Sequence, residues 1–266
     1  MIIDHDLHLH THLSRCGRDD AYVENYIKQA KSLGLQLLGF TDHMWDDAFP
    51  GWPAFYEGQT FQNAASLKEE LAGIDTCGIK ILHGAEVEYD RGRRDLAITP
   101  EHAGQLDFII VPNSHTHNIM PKEYYDDKRR HIDFMVQAFM DVMDSPLAPK
   151  ITAMAHPFCA VKCPYGFEGM LGMIGDTEYK KYFGAAADNG IAIEINLSKF
   201  RDYTIEEIKQ SNHTHMLRVA KACGCKFTFG SDSHTMSHQE KFYNFYVMAG
   251  VLGLTEDDLC ELVRNR

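Results

Sequence analysis

Short apolar runs alternate with amphipathic stretches along the whole chain. Ile2 to His10 reads as a strand. Tyr22, Tyr26, Ile27, Ala30 and Leu33 then mark one face of a helix, and Gly34 supplies its stop. Leu35 to Thr41 is a second strand. Leu67, Leu71 and Ile74 lie on a helix that leads into a strand from Ile79 to Glu88, and Leu106 to Asn113 is the next apolar run. A polar loop from Asn118 to Tyr125 separates it from a long helix. The stripe of that helix is Ile132, Met135, Val136, Phe139, Met140 and Met143, with the methionines as core filler. Ile151 to Ala155 and Ile191 to Asn196 are strands. A helix from Thr204 to Ala222 leads to the strand Lys226 to Gly230, and a last helix is expected around Thr255 to Val263. About seven strands alternating with helices, with no repeat or low-complexity linker, predict a parallel α/β fold. One barrel spanning residues 1–266 as a single domain fits better than two domains. An open doubly wound sheet is the alternative, weakened by the lack of its usual Gly-rich phosphate loop.

Composition narrows the function. The 266 residues carry 26 Lys and Arg against 38 Asp and Glu, a formal charge of −12. That balance argues against a nucleic-acid polymer or an anionic membrane as partner, both of which call for clustered cations. No apolar run approaches the roughly 18 residues of a spanning helix. The amino terminus lacks the basic-then-apolar order of a signal peptide. Seven cysteines (Cys16, Cys77, Cys159, Cys163, Cys223, Cys225 and Cys260) are odd in number and form no Cys-x-x-Cys pair. A disulfide framework is therefore not expected, and a reducing cytoplasm is the expected compartment. Fifteen histidines in so acidic a chain look like a divalent metal site.

Position sharpens that hint. Asp6, His8 and His10 alternate with Leu7 and Leu9, so the three polar groups share one face of the first strand. Asp42 and His43 end the second strand, and Glu86 and Glu88 the third. His115 and His117 follow the fourth, His156 the fifth, Glu194 ends the sixth, and Asp232 and His234 follow the last. In a barrel these strand ends converge on one mouth, where catalytic residues gather. A multinuclear metal site is the reading this convergence supports.

The same residues carry a family resemblance. Asp6-Leu7-His8-Leu9-His10-Thr11-His12, Thr41-Asp42-His43, Gly84-Ala85-Glu86, Ser114-His115, Ala155-His156-Pro157 and Gly230-Ser231-Asp232-Ser233-His234 occur in the order of the motifs of the PHP (polymerase and histidinol phosphatase) superfamily. Residues 79–89 and 194–201 are similar to its histidinol-phosphatase branch. The resemblance implies a distorted (β/α)7 barrel and a metal-dependent phosphoesterase. It also implies two or three divalent metal ions, with zinc, manganese or iron suiting a mixed imidazole and carboxylate set. His8, His10, Glu86 and Asp232 would hold one. Glu86, His115 and His156 would hold a second, with Glu86 bridging. His43 and His234 would hold a third, together with a ligand from the loop after the first strand. Spacing puts Cys16 where the family often has histidine. Cys16 as a thiolate ligand and Asp19, Asp20, His12 or water in its place both stay open. Asp6, Asp42 and Glu194 are expected to orient the ligands.

Clustered dications acidify a bridging water and bind the attacking and leaving oxygens of an in-line displacement, so a small-molecule phosphate monoester is the expected partner. A histidinol-phosphatase type of activity, in histidine biosynthesis, leads. A phosphodiesterase or nucleotide phosphoesterase is the alternative, and an inactive metal-binding module the third reading. Arg201 is the first choice among candidate cations for the phosphate, followed by Lys199, Arg91, Arg93, Arg94 and Lys162. Asp232, His117 and metal-bound water are the candidate proton donors, with His117 also a candidate substrate contact. The aromatic run Trp45, Phe49, Trp52, Phe55 and Tyr56 is either a lid or a satellite cluster.

Overall fold

The computed structural model describes residues 1–264. Seven parallel strands follow one another in chain order: β1 (His5–Leu9), β2 (Leu37–Phe40), β3 (Lys80–Val87), β4 (Phe108–Pro112), β5 (Ala153–Ala155), β6 (Ala192–Asn196) and β7 (Phe227–Gly230). Each pairs in parallel with the next. The two outer strands then approach each other. Leu9 bridges to Ser233, the His10 amide donates to the Ser233 carbonyl at 2.9 Å, and the Asp232 amide donates to the His8 carbonyl at 2.9 Å. The result is a nearly closed barrel of seven strands surrounded by helices, the distorted (β/α)7 form. The expected single barrel replaces the open sheet because the last strand reaches back to the first.

The strands are buried along almost their whole length, as parallel strands covered on both faces must be. Inside the barrel, small residues make room for large ones. A Cβ at Gly39 or Gly84 would lie 2.5 Å from the Phe108 ring, so both positions need glycine for that ring to fill the interior.

The helices are α1 (Val23–Leu33), α2 (Phe61–Leu71), α3 (Lys128–Met143), α4 (Asp176–Asp188), α5 (Ile205–Gln210), α6 (Asn212–Ala222) and α7 (Asn244–Leu252). Gly34 ends α1 in the left-handed conformation, as its position predicts. The single helix expected over 204–222 is two. Ser211 adopts an extended backbone and its hydroxyl accepts the Thr214 amide at 3.0 Å, so it caps α6 rather than continuing α5. The helix expected near 255–263 is also broken, into turns at Glu256–Asp258 and Glu261–Arg264. Between them Leu259 bridges to Phe227, and the Cys260 amide donates to the Phe227 carbonyl. Helices α4 and α7 are additions to the expected set. In α7 nearly every residue is apolar, which leaves no periodic stripe to read.

All seven cysteines are free. Among the described residues no helix is long and apolar enough to cross a membrane.

Candidate metal centre

The carboxyl ends of the strands deliver their side chains to one point. His8 and His10 come from the end of β1, His43 from a two-residue extension beyond β2, and Glu86 from β3. His115, His156 and the pair Asp232–His234 follow β4, β5 and β7. All except His234 are buried.

Glu86 sits at the middle. Its Oε2 lies 3.7 Å from His8 Nε2, 3.6 Å from His10 Nε2 and 2.8 Å from His43 Nδ1. Its Oε1 lies 3.1 Å from His156 Nε2 and 3.7 Å from His115 Nε2. Asp232 Oδ1 completes the first group, 3.8 Å from His8 Nε2 and 3.5 Å from His10 Nε2. His43 Nδ1 and His156 Nε2 stand within 2.8 and 3.1 Å of the Glu86 oxygens, but neither Glu86 oxygen nor His43 Nδ1 makes a well-directed hydrogen bond. Buried carboxylate oxygens left without well-directed donors are costly unless a cation occupies the space between them. The separations fit such an occupant: ligands about 2.0–2.2 Å from a tetrahedral ion stand about 3.3–3.6 Å apart. Four sets bring their ligand atoms within 4.8 Å of one another: His8, Glu86 and His156; His8, His10 and Asp232; His43, Glu86 and His115; and His10, His43 and His234. These residues could therefore hold more than one ion, with one Glu86 oxygen turned to each side.

The imidazoles are held from behind. His8 Nδ1 lies 2.6 Å from Glu194 Oε1, whose other oxygen accepts the His156 amide at 2.8 Å and Asn196 Nδ2 at 2.9 Å. His115 Nδ1 lies 3.0 Å from Glu88 Oε2, and the Tyr56 hydroxyl donates to the same oxygen. His156 Nδ1 is 2.6 Å from Ser114 Oγ. His10 Nδ1 is 3.2 Å from Ser14 Oγ, which donates to Asp42 at 2.6 Å. Of the three acids expected to orient ligands, Glu194 contacts an imidazole of the cluster directly and Asp42 does so through Ser14. Asp6 instead accepts the Ser231 amide at 2.8 Å and Gln239 at 2.7 Å, joining the two edges of the barrel. Ser14, Ser114 and Tyr56 are supports that the spacing of acids and histidines does not reveal, since a hydroxyl beside an imidazole has no motif of its own.

Backbone geometry is specialised here as well. His156 has φ 30° and Asp232 has φ 55°, left-handed values that cost a non-glycine residue free energy and cluster at functional sites. Gly230 precedes Asp232 because a Cβ there would meet Glu194 Oε1 at 2.0 Å and His8 Cβ at 2.5 Å.

The charges are strongly coupled. Burial opposes ionisation of Glu86, but His115, His43 and His8 hold its carboxyl well below the usual range. Burial likewise opposes Asp232, which His8 and Lys199 keep well below its usual value. Burial disfavours a charged His8, yet Glu194, Glu86 and Asp232 lift it well above the ordinary imidazole value. His43 is lifted the same way by Glu86 and Cys16 against the cost of burial. His10 goes the opposite way, pushed well below by burial and by the neighbouring His234 and His43. Burial disfavours the Cys16 thiolate, but His43 and His234 bring the thiol down to about 6.

Cys16 reaches a cavity of about 210 Å³ over the cluster, shared with His43, Phe55, His115, His117, Asn118, Val161, Lys162, Lys199, Asp232 and His234. Two of the other candidates for its position are engaged elsewhere: His12 pairs with Glu70 at 3.3 Å, and Asp20 accepts the Thr235 hydroxyl at 2.8 Å. Among the candidate cations, Lys199 and Lys162 line this cavity, and Lys199 Nζ is 3.5 Å from Asp232. Arg201 does not line it. The turn Leu197–Lys199 after β6 brings Lys199 to the cavity, whereas Arg201 stands beside it: its Nη1 is buried without a hydrogen-bond partner, its charge acts on His238, whose ring meets that of His234, and its Nη2 is 3.9 Å from Asp202. Arg94 is committed to Asp141 at 2.7 Å, and Arg93 lies over the Phe49 ring. His117 lines the cavity, but burial, then His115 and Lys162, lower its imidazole to about 4. It is therefore neutral near pH 7. His117 itself lies in a short helix, Thr116–Ile119, which takes up the start of the expected polar loop. The aromatic run divides: Phe55 lines the cavity, Tyr56 is buried against Glu88, and Trp45 and Phe49 line a separate cavity.

The chain is 27% identical over 264 residues to a protein described as a probable phosphatase from Acetivibrio thermocellus, covering 96% of this chain and 89% of that one. It is 26% identical over 253 residues to a probable phosphatase of a Thermoanaerobacter species, covering 94% and 88%. Among solved structures it resembles histidinol phosphate phosphatase from Lactococcus lactis, complexed with zinc, L-histidinol and phosphate (TM-score 0.61, 20% identity, 94% of both chains). It also resembles the putative histidinol phosphatase of Listeria monocytogenes (TM-score 0.62, 16% identity, 91% of this chain and 99% of that one). The PHP domain model matches residues 6–255, from the first metal motif to beyond the last, and the chain belongs to the PHP domain family.

Proposed function

We propose that the protein is a metal-dependent phosphomonoesterase. The observation that carries this reading is the buried Glu86 carboxylate ringed by imidazoles, with Oε2 turned to His8, His10 and His43 and Oε1 to His115 and His156. His8, His10, Glu86 and Asp232 would hold one cation and Glu86, His115 and His156 a second. Cys16, His43 and His234 are the residues for a third. Zinc suits a position with sulfur, and manganese or iron the others equally well. Bound divalent cations supply Lewis acidity, neutralising phosphoryl oxygens and acidifying water.

The chain's own groups do the rest. Lys199 and Lys162 face the cavity and bind the non-bridging phosphate oxygens, which brings an anion to a protein of net −12. Asp232, held as a carboxylate beside Lys199, accepts the proton of the attacking water and returns it to the leaving alkoxide. His117, neutral, serves as a hydrogen-bonding contact to the ester rather than as an imidazolium acid. Phe55 and Val161 confine the space to about 210 Å³, which suits a terminal phosphate better than a diester.

The test is hydrolysis of phenyl phosphate and bis(4-nitrophenyl) phosphate by protein stripped with chelator and then reloaded with zinc, manganese or iron. Monoester turnover that vanishes on stripping and returns on reloading supports the reading. Metal-loaded protein inert towards every small monoester, L-histidinol phosphate included, overturns it.

A further inference from the structure

The cavity over the metal cradle holds little more than a phosphate, so the alcohol it is esterified to must lie outside. Asn118 shows where. It walls the metal cavity on one side and a second cavity of about 530 Å³ on the other. That second cavity is lined by Trp45 and Phe49 and by Arg91 and Arg93. Arg91 in turn walls a third cavity of about 590 Å³, where Arg94, Arg130, Tyr124 and Phe134 meet. The acids in these walls are Asp90 and Asp133. Asp90 Oδ1 is already taken by the Gly92 amide at 2.8 Å. Four arginines against two acids is a local reversal of charge in a protein of net −12.

The arginines differ in availability. Arg94 is paired with Asp141, Arg93 lies 3.5 Å over Phe49 and 3.8 Å from Asp95, and Arg130 is 3.8 Å from Asp127. Arg91, exposed and shared by both outer cavities, has no hydrogen bond or ion pair among the described residues. A free guanidinium between aromatic walls, one residue beyond a phosphate site, is the arrangement that binds an anion attached to an apolar spacer.

We propose that the groove leading from Asn118 past Arg91 is the leaving-group subsite, and that it selects phosphomonoesters whose alcohol carries a second anionic group. This rests on the phosphomonoesterase reading and adds a substrate class to it. It also predicts discrimination against L-histidinol phosphate, whose leaving alcohol carries an ammonium group that the arginines repel.

The experiment compares three series at matched chain length on the metal-loaded protein: alkanediol bisphosphates, ω-carboxyalkyl phosphates and ω-aminoalkyl phosphates, with phenyl phosphate as the common reference. One charge-assisted hydrogen bond is worth about 1.5–3 kcal/mol, so the better anionic series should exceed the amino series by at least about tenfold in kcat/KM, mainly through KM. The bisphosphate and carboxylate arms identify which anion the groove takes. Arg91→Ala should bring the ratio of anionic to amino substrates near one, and Arg91→Lys should retain part of it. Equal or faster turnover of the amino series or of L-histidinol phosphate overturns the proposal, as does a ratio unchanged in Arg91→Ala. If phenyl phosphate is hydrolysed without any anion preference, the subsite alone fails. If none of the esters is hydrolysed, the phosphomonoesterase reading fails with it.

Discussion

Histidines are buried in two regions of this barrel, with opposite consequences. In the body, His83 Nε2 meets the Ala64 carbonyl at 2.8 Å, His131 Nε2 meets Thr116 Oγ1 at 2.8 Å, and His5 Nε2 accepts the Phe229 amide at 3.2 Å. His213 is buried between Phe167 and Phe200, with no partner for either ring nitrogen. Burial keeps these rings neutral: His5 is lowered to about 4, and His213 to about 3 by burial and then by Lys199. At the mouth, equally buried imidazoles surround a carboxylate with unsatisfied oxygens. Burial alone therefore does not make a ligand. Convergence of several imidazoles on shared carboxylates is what sets the residues at the mouth apart as candidates.

Breaking the shared carboxylate should have the largest effect. Glu86→Gln removes the negative charge between the two groups and should lower phosphomonoester turnover on the order of a thousandfold or more. Elemental analysis should show fewer ions per chain than in the unmodified protein. A variant that keeps full metal content and activity would contradict the bridging role.

Loosening the support should cost less. Glu194→Gln and Glu88→Gln leave the ligands in place but weaken the acceptors behind His8 and His115, and metal affinity should fall by about 10- to 100-fold. Competition with a chromophoric chelator measures it. His83→Gln is the matched change in the body. It should leave metal affinity unaltered and cost about 1 kcal/mol of stability in denaturant titration.

The imidazole pKa values are shifted in opposite directions in the two regions, yet each shift predicts a property that rises with pH. At the mouth, His8 and His43 are lifted well above the ordinary imidazole value and so hold protons that an incoming cation must displace. Zinc affinity should therefore rise with pH, and zinc addition in weakly buffered solution should release protons. In the body, the unfolded chain binds a proton at His213 near pH 6.5 while the folded chain does so only near 3. Between those values the unfolded state holds more protons, so stability should fall as pH drops through that window, by up to about 1.4 kcal/mol per pH unit. His213→Phe should flatten that acid limb in urea titrations at pH 4 to 7. A limb of unchanged slope would show that His213 is not its source.

The strand–helix alternation was legible because each strand of a covered parallel barrel is a short apolar run. Boundaries were lost where the backbone found other partners, at Ser211 and again at Leu259 and Cys260. The meeting of acids and imidazoles at one mouth was legible because strand ends in a barrel converge, whereas their division among metal positions came from the family resemblance and not from strand order. Arg201 and Lys199 show the limit. They stand two residues apart after the same strand, and only the turn Leu197–Lys199 determines that Lys199 enters the cavity.

By itself the chain of 266 residues determined which side chains are present and on which strand ends they fall, since period and strand order are local properties. Tertiary structure alone decided three further things. It turned the two oxygens of Glu86 to different imidazole groups and chose Ser14, Ser114 and Tyr56 as supports. It also set Arg91 at the end of a groove that begins at Asn118. The reason is physical: a ligand site or a groove is defined by distances of a few ångströms between residues far apart in sequence, and those distances exist only once the barrel has closed.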